Sequence, residues 1–207
     1  MKKNMYYAIS APSGTGKSSL IKTFLNTNLG MNFRLSISHT TRNIRSEEIE
    51  GKDYFFISKE KFKKMIFEKK FIEYTYSFNN YYGTSFKEVK NKIKSNFSLF
   101  FDVNYKGVKK IKEFIPKLIS IFILPPSKLD LLKRLYNRYN SNEFELNKRF
   151  YKYKKDILNY NKYDFILINR DFNNTLNKIK TIIISKNKKA INQIDKINET
   201  IKKLLKK

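Results

Sequence analysis

Apolar positions along the chain fall into two rhythms. Short continuous apolar runs recur at Met5–Ser10 (MYYAIS), Phe33–Ser38, Ser98–Val103 (SLFFDV), Leu118–Leu124 and Phe165–Asn169. Runs of that length, bounded by small or polar residues, predict buried strands. Between them lie amphipathic stretches. Ser18–Asn26 puts Leu20, Ile21, Phe24 and Leu25 on one side and predicts a helix. Ser58 offers an N-cap to a helix running through Glu68, with Glu60 in the first turn favoured by the helix dipole. Ser85–Ser95 and the segment ending at Phe114 also predict helices. Pro125-Pro126 ends a strand, Ser127 caps the helix after it, and a further helix runs to about Tyr160. Asp53–Ser58 (DYFFIS) predicts a strand. Phe71–Gly83, alternating aromatic and polar residues, predicts a strand and turn in a small sheet. The polar residues Arg134–Asn142 predict an irregular connection. From Thr175 the pattern is helical, and the spacing of Ile194, Ile197, Ile201 and Leu204 predicts a stripe that covers the protein's own core in preference to a coiled-coil partner.

Strands alternating with helices predict an α/β fold, a parallel sheet covered on both faces. Residues 38–95, rich in aromatics and with a sheet of their own, read as an inserted lobe in a core made of residues 1–37 and 96–207. There is no internal repeat and no Gly/Ser linker.

Composition narrows the chemistry. With no cysteine, disulfides, thiolate metal sites and cysteine nucleophiles are excluded. No apolar run reaches the roughly 18 residues of a membrane helix. The N-terminal residues enter a strand without a signal-peptide core, so a cytoplasmic location is expected. Lys and Arg number 44 against 18 acids, a net charge of +26. A nucleic-acid-binding protein concentrates such charge on one patch. Here it is mostly lysine, spread along the chain and accompanied by many Asn, Ile, Phe and Tyr, residues that share A- and T-rich codons. Codon drift accounts for all of them and nucleic-acid binding for the lysine alone, so no specific nucleic-acid partner is expected. The charge still attracts anionic nucleotides.

The strongest chemical signal is Ala11-Pro12-Ser13-Gly14-Thr15-Gly16-Lys17-Ser18, between a predicted strand and a predicted helix. It matches the phosphate-loop pattern G-x-x-x-x-G-K-[ST], with Ala11 at the first glycine. Gly14 and Gly16 let the backbone curl so that several N–H groups face one anion. The helix behind adds its positive end. Lys17 would reach the β- and γ-phosphates, and the Ser18 hydroxyl would ligate Mg²⁺. The whole segment Ala11–Ser19 is therefore the expected ATP site. A phosphate loop leaves the acceptor open.

The acceptor comes from a resemblance. SAPSGTGKSSL, SISHTTRNIR, EGKDYFF, FIEYTYSFNNYYGTS, FFDVNYKGVKKIK and SIFILPPSK occur in the order and spacing of guanylate kinases, from Tyr6 to about Thr181. The chain thus resembles that family. The resemblance implies the P-loop nucleoside-monophosphate kinase fold: a parallel sheet core flanked by helices, an inserted mixed α/β GMP-binding lobe and a small helical lid, here at about 134–150. It implies Mg²⁺-dependent phosphoryl transfer from ATP to GMP, with dGMP as a further acceptor. Arg42 and Arg45 would grip the GMP phosphate, a task that suits planar guanidinium. Tyr54 and Tyr82 would give hydroxyls to the same phosphate. Glu73 would accept from guanine N1–H and the 2-amino group, with Ser38 and Thr84 completing the base site. AMP presents a lone pair at N1, so a buried carboxylate there would be unpaired, at a cost of about 1–3 kcal/mol or more. Asp102, at the end of an apolar strand, would serve both nucleotides and hold Mg²⁺ directly or through water. Its ordinary alternative is to cap the next helix. Arg134, Arg138 and Arg149 match lid arginines that close on the transferring phosphoryl group. Asn169 would lie by the adenine. His39, the only histidine, reads as a loop residue beside the Arg42 site and not as a general base, and Tyr81 as a packing residue.

Three positions depart from the family pattern. Asn104 stands where a second aspartate helps hold guanine; it keeps one acceptor oxygen and loses the charge. Lys106 replaces a glutamine. The lid segment Leu135–Tyr139 lacks glycines, which would slow closure. The competing readings are a non-catalytic interaction module of the same fold, a kinase for another nucleotide, and a basic RNA-binding protein. Intact Lys17, Ser18, Arg42 and Asp102 argue against the first, and Glu73 in register with Arg42 and Tyr82 against the second. Self-association is left open by the sequence.

Overall fold

The computed structural model describes residues 4–138, 143–185 and 194–205. In chain order the elements are β1 (Tyr6–Ser10), α1 (Lys17–Leu25), β2 (Phe33–Ser36), β3 (His39–Thr40), β4 (Phe55–Phe56), α2 (Lys59–Phe67), β5 (Phe71–Ser77), β6 (Asn80–Ser85), α3 (Phe86–Lys94) and β7 (Ser98–Asp102). They continue with α4 (Tyr105–Phe114), β8 (Ile119–Leu124), α5 (Lys128–Arg138), α6 (Glu143–Ile157), β9 (Phe165–Ile168), α7 (Phe172–Ser185) and α8 (Ile194–Leu205). The larger sheet has the order β2-β7-β1-β8-β9, with β2–β7 and β8–β9 paired in parallel. Its strands are apolar on both faces: Tyr7, Ala8, Ile9, Leu99, Phe100, Ile121 and Ile123 are wholly buried. Such strands are stable only with both faces covered, as in a layered α/β core.

Two compact units divide the chain, one taking in the residues up to Ala8 and Met31–Ile119, the other Ile9–Gly30 and the chain from Ser120. In the first, Phe33 to Ser36 lie opposite Ser98 to Phe101. The rings of Tyr7, Phe33 and Phe100 pack with centroids 5.2 to 6.2 Å apart. The same unit holds a mixed four-stranded sheet, β4-β3-β6-β5. Its β5–β6 hairpin turns at Phe78 and Asn79, both left-handed with φ of 54° and 62°, which matches the twist of a two-residue turn. Phe62 of α2 stacks on Phe71 at 4.4 Å and on Tyr81 at 5.1 Å, so Tyr81 is a packing residue. Ser58 and Ser85 cap α2 and α3 by accepting from the amides of Lys61 and Glu88.

In the second unit, α1 buries Leu20, Ile21 and Phe24, and α7 buries Ile179, Ile182 and Ile183. Ser127 accepts from the Asp130 amide at the start of α5. The C-terminal stripe is buried at Ile197, Ile201 and Leu204, and the Tyr153 hydroxyl of α6 donates to the Leu204 carbonyl at 2.8 Å. The described part of that stripe therefore covers the protein's own core. The side chain of Ile194 lies outside the described residues.

Two expectations need correction. Arg134 and Arg138 stand on a helix and not in an irregular connection, because Leu131 and Leu135, one turn apart, are fully buried and hold α5 down as far as Arg138. The remainder of that connection, 139–142, lies outside the described residues. The strand expected over Asp53–Ser58 shrinks to Phe55–Phe56, which bonds to the short β3 through Phe55 N to Ser38 O and Ile57 N to Thr40 O. A partner of two residues cannot satisfy a longer strand. No described helix is long and apolar enough to cross a membrane.

Candidate active site

The donor side is built at the turn from β1 into α1. Gly14 and Gly16 adopt left-handed φ of 85° and 92°, which a side chain would strain. Thr15 between them is buried, and its hydroxyl donates to the Pro12 carbonyl at 2.8 Å, closing the loop on itself. Helix α1 begins at Lys17 with no side-chain cap at Gly16. The start of that helix is its positive end, which suits an anion. Ser18 follows, exposed.

Two predicted residues converge on this loop. The Thr15 carbonyl accepts from Asn169 Nδ2 at 2.8 Å and from Arg134 Nη1 at 3.3 Å. A side chain at Gly16 would meet Asn169 Nδ2 at 3.0 Å, and one at Gly14 would meet Leu135 at 3.1 Å and Leu131 at 3.2 Å. Asn169 is 4% exposed. Its place is against the loop backbone, which its position at a strand end did not reveal. Arg149 is half-buried on α6. The side chain of Arg138 lies outside the described residues. Sequence reasoning missed Asp156, on the same face of α6. Burial raises its carboxyl above the ordinary range, while the Lys152 ammonium at 3.4 Å and the charge of Lys17 pull it down. Its signal was an acid at helical spacing from Arg149.

The acceptor side lies in the other unit. Glu73 on β5 sits opposite Thr84 on β6. The Thr84 hydroxyl donates to Glu73 Oε1 at 2.6 Å and is 3.5 Å from the Ser38 hydroxyl. All three residues are buried. Desolvation pushes the Glu73 carboxyl up to about 7, against the Thr84 hydrogen bonds that lower it. Its Oε2 lies near α4: a side chain on Gly107 would come within 2.9 Å of that oxygen and 2.9 Å of Val103. Gly107 thereby lets the helix approach the carboxylate. A glycine inside a helix, where it costs about 1 kcal/mol, was the available signal for that approach.

Arg42 is half-buried with its guanidinium 5.5 Å from the Tyr54 ring centre and 5.6 Å from that of Phe56. Tyr54 packs on Tyr82 at 6.1 Å. The Tyr54 phenol is raised by burial first and by the Asp102 carboxylate next, so Asp102 acts on this cluster. Asn104 is the N-cap of α4, its Oδ1 accepting from the Gly107 amide at 3.0 Å. The oxygen expected to face guanine thus already accepts one bond from the helix, which leaves it a second lone pair and the two amide N–H groups. Arg45 is exposed and lies 3.8 Å from Glu48, an acid the sequence reading did not assign; Glu48 also pairs with Arg42 at 2.8 Å. Its spacing three residues beyond Arg45 was visible. His39 packs on Phe55 and Phe71 at 4.8 and 5.6 Å, and burial lowers its pKa, so it is a neutral packing residue.

Among the described residues no group of three or more His, Cys, Asp or Glu is placed to hold a metal ion. The Ser18 hydroxyl and the Asp102 carboxylate are oxygen donors, the ligand type that a nucleotide-bound Mg²⁺ takes.

A family model described as guanylate kinase matches residues 3–186. The chain is 43% identical over 206 residues to a guanylate kinase of Buchnera aphidicola subsp. Schizaphis graminum, covering 100% of both chains. It is 38% identical over 205 residues to that of Salmonella typhimurium, covering 99% of both. The structure resembles the crystal structure of guanylate kinase from Anaplasma phagocytophilum with a TM-score of 0.68 at 24% identity, over 100% of this chain and 98% of that one. That likeness carries the fold, and the family match and full-length identities carry the membership. Phosphate loop, paired arginines and buried carboxylate stand in one chain because it belongs to the guanylate kinase family.

Proposed function

We propose that this chain is a GMP kinase, transferring the γ-phosphoryl group of ATP to GMP with Mg²⁺ to give ADP and GDP. The observation that carries this reading is the acceptor unit. It holds a buried carboxylate, Glu73, bonded to Thr84, together with a guanidinium, Arg42, set among Tyr54, Tyr82 and Phe56. One group suits the N–H edge of guanine and the other a phosphate monoester.

Arg42, Arg45, Tyr54 and Tyr82 bind the GMP phosphate. Ser38, Glu73 and Thr84 read the base, with Asn104 beside them. The loop Ala11–Ser19 cradles the ATP phosphates, and Asn169 braces that loop and borders the adenine. Lys17, Arg134, Arg138 and Arg149 offset the charge that spreads over the transferring group. Ser18 and Asp102 would hold Mg²⁺, the aspartate directly or through water; when bound, the ion neutralises charge on the β- and γ-phosphates. In-line transfer needs the acceptor oxygen brought up to the γ-phosphorus with water excluded. We assign that step to closure of residues 38–95 and of the lid at 134–150. No covalent enzyme intermediate is required. The same base and phosphate are present in dGMP, which is proposed as a further acceptor. The location is cytoplasmic and no specific nucleic acid is bound.

A coupled assay of ADP formation with GMP, dGMP, AMP, CMP and UMP tests this. Turnover with GMP and dGMP alone is expected. Turnover with AMP instead, or RNA binding without ATP consumption, would refute it.

A further inference from the structure

Glu48 is an acid inside a site built for an anion. Its side chain is 16% exposed, and that of Arg42 14%. Oε1 accepts from Arg42 Nη2 at 2.8 Å and lies 3.8 Å from Arg45 Nη1. Oε2 accepts from the Arg45 backbone amide at 3.0 Å, while the Glu48 amide donates back to the Arg45 carbonyl at 3.0 Å. Desolvation alone would raise this carboxyl; the Arg42 hydrogen bond, the Arg45 amide and both guanidinium charges hold it below its ordinary value. The carboxylate therefore stays ionised and closes the Arg45–Glu48 turn.

Arg42 is fixed from three sides. Nη2 bonds Glu48, Nη1 bonds the Asn43 carbonyl at 2.7 Å, and the guanidinium plane lies near the Tyr54 and Phe56 rings. Those bonds use two of its five N–H groups, leaving three for a ligand. An arginine loses much rotamer freedom when it grips an anion. One already held by a carboxylate has lost that freedom beforehand, and preorganisation strengthens binding by that amount. A lone exposed ion pair would contribute little. Here the carboxylate is mostly covered and joins both arginines that the phosphate is meant to meet.

Resting on the GMP kinase reading, we propose that Glu48 is the positioning residue of the acceptor phosphate site: it sets Arg42, and the turn carrying Arg45, for a phosphate monoester. It touches neither the base nor the reacting atoms. Its effect is therefore confined to ligands that carry the phosphate.

Calorimetric titration of GMP, guanosine and ATP into the full chain, as wild type, Glu48→Gln and Glu48→Ala, tests this. Guanosine lacks only the phosphate, so the ratio of GMP to guanosine affinity isolates the site. Glu48→Ala is expected to lower that ratio roughly tenfold, one decade of affinity. Glu48→Gln, which keeps an acceptor for Arg42 without the charge, is expected to fall between alanine and wild type. ATP affinity is expected to hold. An unchanged ratio, a rise in GMP affinity, or equal losses of GMP, guanosine and ATP would overturn the proposal. If the alanine variant does not fold, the glutamine variant decides by the same ratio. Failure of the GMP kinase reading would be distinct, showing as a wild type that binds neither GMP nor guanosine.

Discussion

Glu73 shows how one buried group couples base recognition to pH. Its carboxyl is raised from an ordinary 4.5 to about 7. Accepting two guanine N–H groups requires the ionised form. Affinity for guanosine, which has no phosphate to titrate, should therefore rise as pH increases through about 7, measured by calorimetry across that range; a flat profile would speak against a carboxylate reader. The same shift acts on stability with the opposite sign. Between 4.5 and about 7 the unfolded chain ionises first, so folding should weaken by a few kcal/mol as pH rises through that window. Asn104 is a second residue with a structural duty that its sequence position hid. As the N-cap of α4 it should cost about 1 kcal/mol when changed to alanine and almost nothing when changed to aspartate, read by chemical unfolding. Sequence alone identified Glu73 through its neighbours FIEY and YYG, and the structure pairs it with Thr84. It could not show that Asn104 Oδ1 accepts from the Gly107 amide, because a cap is a matter of backbone geometry.

At the scale of elements, the buried runs were legible because period and length leave a strand no alternative to burial; β1, β7 and β8 fall within a residue or so of expectation. Capping serines placed the starts of α2 and α3 equally well. The helix that Ser127 caps was legible at its start and not over its last turn, from Arg134 to Arg138. Its Arg and Asn suggested a loop, but Leu131 and Leu135 pack against Gly14 and carry the helix on to Arg138. Tertiary contact overrode local composition. The consequence is that Arg134 stands on a helix whose leucines touch the phosphate loop, and reaches the Thr15 carbonyl from there. The C-terminal helix α8 is held by burial of Ile197, Ile201 and Leu204 and by Tyr153. Ile201→Ala should cost about 2–5 kcal/mol in thermal or chemical unfolding. A loss well under 1 kcal/mol would show that α8 lies loosely on its unit.

For the whole molecule, the net charge of +26 sets a background attraction for every anion and carries no selectivity. Selectivity has to come from a few buried groups. The sequence exposed most of them because six segments stand in family order, and left out Glu48, Gly107 and Asp156, whose parts depend on which atoms the fold brings within 3 to 4 Å. The central claim is that a carboxylate and a paired-arginine cradle in one unit select GMP while a separate loop takes ATP. The most direct test is to titrate GMP and ATP into wild-type protein and Glu73→Gln under identical conditions. Loss of one good acceptor at the guanine edge, about 1–3 kcal/mol, predicts GMP affinity lower by roughly 10- to 100-fold with ATP affinity unchanged. Equal losses for both nucleotides, or GMP affinity that does not move, would contradict the account.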